Sequence, residues 1–507
     1  MSKRGSYKKK PVEQADQDNE ESFNQTKPFY KKPVYLVLSA IILLAFILRF
    51  FDLGKESLWL DEASSYYLTN VTSPGEVWTN AFNDRHPPLF NLALWAVRIL
   101  GSNEFWLRFP SACAGVATVV VIFFLAREIT NEKVGLISAL LLAVSPFDIY
   151  YSQEARMYAF AVLFVALAYY AFFKSCRSRQ WYDWTLFGVA CAAAFYSHFY
   201  TSFAIITLFI GYFIMRMKEF DFSKWSGKIG SVNSMLPSDF KLFIFGDLVA
   251  LVFVLPIIGS FLHQSEYFSG HIFNWGLDIW SIPFVTFSSF SFSNDIVAIF
   301  FIVLMAVGIW LIWRSNKCTA ITLGILLFIP IIISMYMSSS IPFNVRYHLY
   351  LITIFLVIVG IGIERLVGYV NKNKGVYVAL TLIILLSIMP LATYYSNFQK
   401  EDWRGFSSNL ETITKPGDIV VPLPSYMIQP LKYYYSNQSD GTFIKYINDY
   451  NATGFNSLNN ETGAVYFVVT WDIQAADPSG YSLQYLNSHT QQQPGSVAGI
   501  YLLKKVS

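Results

Sequence analysis

The chain predicts an all-α polytopic membrane protein that carries a small α/β domain at its C-terminal end. Three observations predict this. Of 507 residues, 54% are hydrophobic and 14% charged, where a soluble domain carries about a quarter charged residues. Apolar runs long enough to cross a bilayer recur between residues 34 and 395. Beyond 395 the composition turns polar, with short strand-like runs between turn residues. The net charge of +3 is too small to imply a nucleic-acid partner. Four cysteines, Cys113, Cys176, Cys191 and Cys318, lie in or beside apolar segments and form neither a disulfide framework nor a metal-ligand spacing.

Residues 1–33 are polar and Lys-rich and read as a disordered basic cytoplasmic tail. The run 34–51 is long for a signal-peptide core and lacks a small-x-small cleavage site, so it reads as a retained membrane helix. Candidate spans are 34–51, 107–127, 132–149, 157–173, 183–197, 199–216, 241–262, 295–314, 319–337, 346–367 and 376–395. With the N-terminus inside, the segments up to the last span place 23 Lys and Arg on the inner side and 6 on the outer, as the positive-inside rule requires. Eleven spans then leave the C-terminal domain outside, and the protein is expected in the plasma membrane.

Parity also bears on Pro87–Leu100. Counting it as a span would reverse every later loop, and at about 1.5 Å per residue it is too short to cross. With Asn91 and Arg98 on one side, it suits a helix lying in the outer interface. Ser73-Pro74-Gly75-Glu76 reads as a capping box that starts another short helix. The first outer loop, 52–106, is therefore a structured lid on the membrane module 34–395. Residues 396–507 form the extracytoplasmic α/β domain, with a helix from Phe406 to Ile413 and buried strands at 418–421 and 464–469. Sequons at Asn437, Asn451 and Asn460 agree with exposure.

Ionisable groups beside a membrane are costly and mark function by default. Here they gather at the outer ends of helices. Asp61 and Glu62 follow the first span within Leu58-Trp59-Leu60-Asp61-Glu62; a solvated loop start would account for them singly, a general base or a metal pair would account for both. Asp84-Arg85-His86-Pro87-Pro88 starts the interfacial helix, which explains one Pro but not the Asp and His before it. Tyr150-Tyr151-Ser152-Gln153-Glu154-Ala155-Arg156-Met157-Tyr158 sits between two helices. An aromatic belt explains its tyrosines, not its Glu and Arg. In Asn344-Val345-Arg346-Tyr347-His348 the Arg snorkels at a helix end or clamps a phosphate, for which guanidinium is well shaped. His198, His263 and His271 read as interfacial histidines.

In this order the four motifs resemble the family 39-type glycosyltransferases of the GT-C fold. Relatives by this resemblance are the protein O-mannosyltransferases, the aminoarabinose transferase that modifies lipid A, and the RgtA/B/C/D-like transferases. The likeness runs from residue 34 to residue 370. It implies an acidic catalytic motif in the first outer loop, matched by Asp61 and Glu62, and an His-Pro-Pro element, matched by His86-Pro87-Pro88. It also implies an Arg at the lipid phosphate, for which both Arg156 and Arg346 stay open. Arg85, Tyr151, Glu154, Tyr347 and His348 complete the candidates for donor and substrate binding. A divalent metal ion on Asp61, Glu62 and His198 is an open alternative, and no other cofactor is implied. No β-trefoil insertion of the eukaryotic protein mannosyltransferases is visible, so a protein acceptor is not implied.

An outer site has no access to cytoplasmic nucleotide sugars. The expected donor is a sugar on a polyprenyl phosphate, and the acceptor is a lipid, glycan or protein hydroxyl. Phosphate leaves without a strong general acid, so one carboxylate base, Asp61, is worth about 10²–10⁴-fold, and in-line displacement predicts inversion. A lipid-linked oligosaccharide ligase or polymerase would share this chemistry. A transporter would show inverted repeats and charges at mid-membrane, which the sequence does not.

Overall fold

The computed structural model describes residues 33–224, 235–269, 277–338, 343–370, 374–397, 399–436 and 441–506. The expected tail up to residue 32, His271 and the sequon at Asn437 lie outside these residues. Among the described residues, nine helices are long and apolar enough to cross a membrane. They are Pro33–Phe50, Glu104–Ile129, Tyr158–Ser178, Phe199–Glu219, Phe240–Glu266, Asp295–Ser315, Lys317–Met337, Val345–Tyr369 and Gly375–Ser396. Trp181–Ser197, on the expected span 183–197, is a helix of 17 residues. The expected span 132–149 is broken: Glu132–Ala143 and Pro146–Ser152 are bent by 63° and count as a tenth if taken together. By length and apolarity the eleven expected spans thus become nine or ten.

The break has a local cause and a local remedy. Pro146 opens the second piece, with Ser145 as its N-cap, because proline suits the first turn of a helix and not its interior. Pro146 offers no N–H to the Leu142 carbonyl, which keeps a bond of 3.3 Å from the Ser145 N–H, and the Ala143 carbonyl also lies at the break. Arg49, fully buried at the end of the first span, donates to both at 3.1 Å and pairs with Asp148 at 2.5 Å. The bend is therefore held by a cation from another helix.

Some spans touch backbone to backbone. A Cβ added at Gly308 would collide with the Ile358 carbonyl, and one at Gly362 with the Leu304 carbonyl. Small residues permit such close crossings where no hydrophobic driving force separates helix from lipid.

The segment after the first span folds into three short helices, Leu60–Thr69, Pro74–Asn83 and Leu89–Val97. Ser73 caps the second of these: its hydroxyl accepts from the Glu76 N–H, as the capping box predicts, and it also donates to the Glu76 carboxylate. Leu89–Val97 is too short to span. It buries Phe90 and Leu94 against Leu58, Leu107 and Met157, while Ile99 and Leu100 just beyond it are exposed.

The C-terminal domain is a five-stranded sheet in the order β2-β1-β3-β5-β4. Its strands are β1 (Ile419–Leu423), β2 (Phe443–Ile444), β3 (Val465–Thr470), β4 (Thr490–Gln492) and β5 (Ile500–Lys505). β1, β2 and β3 run parallel; β5 is antiparallel to β3. The expected strands correspond to β1 and β3, buried at every position as central strands are. The expected helix starts three residues early, at Trp403, capped by Asp402. Trp403 fills the sheet core, and Leu60 of the first lid helix packs against that same core. Arg404 pairs with Glu104, Tyr434 bonds the Leu58 N–H and Glu104, and Tyr433 bonds the Ser102 carbonyl. The domain is thereby seated on the lid.

The close helix crossing can be checked directly. Gly308→Leu should destabilise the protein by about 1–3 kcal/mol, read as a lower unfolding midpoint in detergent. Gly324→Ala, with open space around it in the helix Lys317–Met337, should leave that midpoint unchanged or raise it, because Ala favours a helix over Gly.

Candidate active site

Asp61 and Glu62 are neighbours in the first turn of the helix Leu60–Thr69. Successive helical residues point about 100° apart, so the two carboxylates enter different environments. Glu62 turns inward and is fully buried. Arg108 meets it with two bonds of 2.7 Å, Lys400 with one of 3.0 Å and the Ala155 N–H with one of 2.8 Å. The other Arg108 donors bond the carbonyls of Leu53, Glu56 and Ser57. Burial would raise the Glu62 pKa, but Arg108 and Lys400 hold it at about 2. A carboxylate so well paired is a poor proton acceptor.

Asp61 turns the other way, into a cavity of about 390 Å³. Its Oδ2 accepts a bond of 3.1 Å from Arg346, and neither side chain is fully buried. The Arg346 guanidinium lies over the rings of Tyr158, Trp59 and Tyr347, at 5.5, 5.8 and 5.8 Å. Arg156 donates to the Asp61 carbonyl and the Ser65 hydroxyl, each at 3.3 Å, and faces His86 Nε2 at 3.5 Å. His86 Nδ1 lies 2.8 Å from Asp84 Oδ2. With Nε2 accepting from Arg156, the proton belongs on Nδ1. Burial works against the Asp84 charge, but His86, Arg156 and Arg85 hold its carboxyl below the usual range.

Backbone geometry places the Asp-Arg-His run. The helix Pro74–Asn83 ends with the His86 N–H bonded to the Ala81 carbonyl and the Arg85 N–H to that of Phe82. This pair of bonds is a Schellman ending, whose left-handed position glycine usually fills. Arg85 occupies it with φ 61°, and Pro87 follows because the chain must leave the helix there. Arg85 and His86 are thus turned into the cavity by the helix end.

The cavity lining is mixed: Asp61, Asp84, Arg85, His86, Arg156 and Arg346 bring charge to it, and Phe199, Phe203, Phe261 and Met337 bring apolar surface. Of the sequence candidates, Asp61, Arg85, His86, Arg156, His198, Arg346 and Tyr347 line it, whereas Glu62, Tyr151, Glu154 and His348 do not. Tyr151 packs among Phe147, Tyr150 and Tyr158. His348 is buried between Thr286 at 3.0 Å and Ser334 at 2.8 Å. His263 stacks on Phe82. Among the described residues no group of three or more His, Cys, Asp or Glu could hold a metal ion. Glu62 faces away from the cavity that Asp61 and His198 line, so these three form no ligand set. Lys400 and the apolar wall escaped the sequence reading. A single Lys in a polar linker carries no motif, and phenylalanines in membrane helices look alike whichever way they face.

Glu154 is fully buried, and neither of its carboxylate oxygens has a hydrogen-bond partner among the described residues. Burial, with the charges of Glu62 and Asp61, raises its pKa from 4.5 to about 7 against the pull of Lys400 and Arg346. A raised carboxyl contributes stability below its unfolded pKa and loses it as pH rises through the folded value. The wild-type protein should therefore lose on the order of 3 kcal/mol between the unfolded pKa and pH 7 from this group. Glu154→Gln should remove that slope, so the thermal midpoints of variant and wild type should diverge as pH is raised from 5 to 8. Parallel midpoints over that range would refute the assignment.

Comparison with known proteins bears on the fold. The family model described as dolichyl-phosphate-mannose-protein mannosyltransferase matches residues 85–231, which include His86 and Arg156 but not Asp61 or Arg346. An uncharacterised Aquifex aeolicus protein is 30% identical over 162 residues, 30% of this chain and 32% of its own length. The putative mannosyltransferase YkcB of Bacillus subtilis is 23% identical over 161 residues, 30% of this chain and 22% of its own. The matches thus span a third or less of these curated relatives. In solved structures, ArnT from Cupriavidus metallidurans bound to undecaprenyl phosphate aligns over 92% of this chain and 98% of its own, with TM-score 0.56 and 11% identity. The Archaeoglobus fulgidus oligosaccharyltransferase AglB, in complex with an inhibitory peptide and a dolichol-phosphate, aligns over 94% and 74%, with TM-score 0.52 and 10% identity. The chain is a multi-pass membrane protein with the GT-C fold that these enzymes share.

Proposed function

We propose that the protein is a glycosyltransferase that moves a sugar from a polyprenyl-phosphate carrier to an acceptor hydroxyl on the extracytoplasmic face. One observation carries this reading: two guanidiniums, Arg156 and Arg346, converge beside Asp61 in a cavity that phenylalanines and a methionine also line. Guanidinium pairs suit phosphate oxygens, and phenylalanines and a methionine suit an isoprenoid chain. The undecaprenyl phosphate bound to ArnT and the dolichol-phosphate bound to AglB are ligands of this description.

The chemistry follows from the placement of charge. Asp61 takes the proton of the acceptor hydroxyl as its oxygen bonds to the anomeric carbon. The bond from that carbon to the phosphate oxygen breaks, and its electron pair leaves on the phosphate. Attack opposite the leaving group inverts the anomeric centre. Arg156 and Arg346 stabilise the phosphate charge as it grows, the electrostatic half of the catalysis. A bound phosphate competes with Asp61 for Arg346, so donor binding loosens the ion pair that otherwise holds the base. His86, buttressed by Asp84, orients Arg156. Glu62 touches no reactant in this reading; it positions Asp61 by anchoring the turn both occupy.

Asp61→Asn keeps the side-chain shape and removes the base, so transfer should fall about 10²–10⁴-fold. The readout is polyprenyl phosphate released from candidate lipid-linked donors in membranes, and near-normal turnover would sink the assignment. For the clamp, Arg156→Ala and Arg346→Ala should each weaken binding of undecaprenyl phosphate to the purified protein at least about tenfold, the loss of one charge-assisted contact. Unchanged binding in both variants would place the phosphate elsewhere.

A further inference from the structure

His198 joins two helical pieces and is pinned by both. Its N–H closes the helix Trp181–Ser197 on the Ala194 carbonyl, and its own carbonyl accepts from the N–H and the hydroxyl of Thr201 at 3.0 and 2.8 Å. Its ring caps the short turn Phe199–Thr201, where Nδ1 accepts the Tyr200 N–H at 3.1 Å. An imidazole nitrogen that accepts carries no proton, so the ring is neutral and its one proton sits on Nε2. The backbone of the turn thereby selects the tautomer in which Nε2 is a donor.

That donor is not used by the protein. Among the described residues Nε2 has no hydrogen-bond partner, and His198 lines the same cavity as Asp61, Arg156 and Arg346. Its ring packs against those of Tyr158 and Tyr347, with centroids 5.7 and 5.6 Å away. The Arg346 guanidinium lies over these same two rings, so the histidine and the arginine share one aromatic frame. Capping alone does not account for the residue, because Ser, Thr, Asp and Asn are the favoured caps. What imidazole adds is a second nitrogen, fixed in direction beside the guanidiniums.

We propose that His198 is a third, uncharged ligand of the donor phosphate, donating from Nε2 to a phosphate oxygen alongside Arg156 and Arg346. The proposal rests on the lipid-phosphate reading above and extends it beyond the two guanidiniums. The cavity lining already sets Arg85, Arg156 and Arg346 against the carboxylates of Asp61 and Asp84, so a further cation would be repelled. A neutral N–H adds a bond to the phosphate without that repulsion, and a bond to an ionised acceptor is stronger than one between neutral groups. It also strengthens as the sugar departs and charge grows on the phosphate.

Substitution separates the two ring nitrogens. In His198→Asn the side-chain oxygen takes over the cap on the Tyr200 N–H, but no donor reaches the Nε2 position. In His198→Gln the longer amide carries an N–H to about the Nε2 position and gives up the cap. Binding to the full-length protein in detergent is measured with undecaprenyl phosphate and, as the phosphate-free probe, undecaprenol. His198→Asn should keep the wild-type unfolding midpoint and bind undecaprenyl phosphate about tenfold more weakly, the loss of one bond to a charged group. His198→Gln should recover most of that affinity, and undecaprenol should bind wild type and His198→Asn equally. If His198→Asn binds undecaprenyl phosphate as the wild type does and His198→Gln binds it less, the ring is a cap alone and the proposal is overturned. An equal loss of undecaprenol by His198→Asn overturns it too, because the ring then touches the chain and not the phosphate. Failure of the wild type itself to bind undecaprenyl phosphate refutes the lipid-phosphate reading and this inference with it, whereas the pattern among the variants refutes only the inference.

Discussion

The buried pair of Glu62 and Arg108 is the constraint on which the rest depends. It joins five parts of the chain: the first lid helix, the span Glu104–Ile129, the loop of Leu53 to Ser57, the turn at Ala155 and the linker at Lys400. Two charges taken out of water are tolerated only when paired and fully bonded, and here nearly every donor and acceptor is used. Because this knot fixes the first turn of the lid helix, it fixes the direction in which Asp61 leaves that turn. The candidate base owes its position to a neighbour that faces away from it.

Around that fixed point the cavity combines two kinds of surface. Arg156, Arg346, His86 and Asp84 bring charge to its lining, and Phe199, Phe203, Phe261 and Met337 bring apolar surface. The proposed donor, with an anionic head and a hydrocarbon tail, uses both. The ion pair of Asp61 with Arg346 keeps the carboxylate and one guanidinium compensated. In the proposed function the same residues serve stability before the donor binds and binding afterwards.

The C-terminal domain is part of this arrangement. Leu60 enters its core, Arg404 and Tyr434 meet Glu104, and Lys400 reaches Glu62. Asp402, Trp403 and Arg404 prove to be a cap, a core residue and a docking contact in turn. Parallel strands bring the ends of β1 and β3 to the same edge of the sheet, a consequence of topology that no short stretch of sequence contains.

Much of the fold was legible in the sequence because its signals are local. Apolar runs mark membrane helices, the Ser-Pro-Gly-Glu run marks a helix start, and alternation of turn and apolar residues marks β1 and β3. The break at Pro146 was not read, since an apolar run stays apolar through a bend; only the partner cation at Arg49 makes the bend tolerable. Asp61, Arg156 and Arg346 stood out by charge beside a membrane. That Asp61 lines the cavity while Glu62 is sealed, and that both arginines converge, was decided by tertiary structure. Charge and spacing are properties of a segment; the direction a side chain faces, and what answers it from 46 or 285 residues away, are properties of the packed chain.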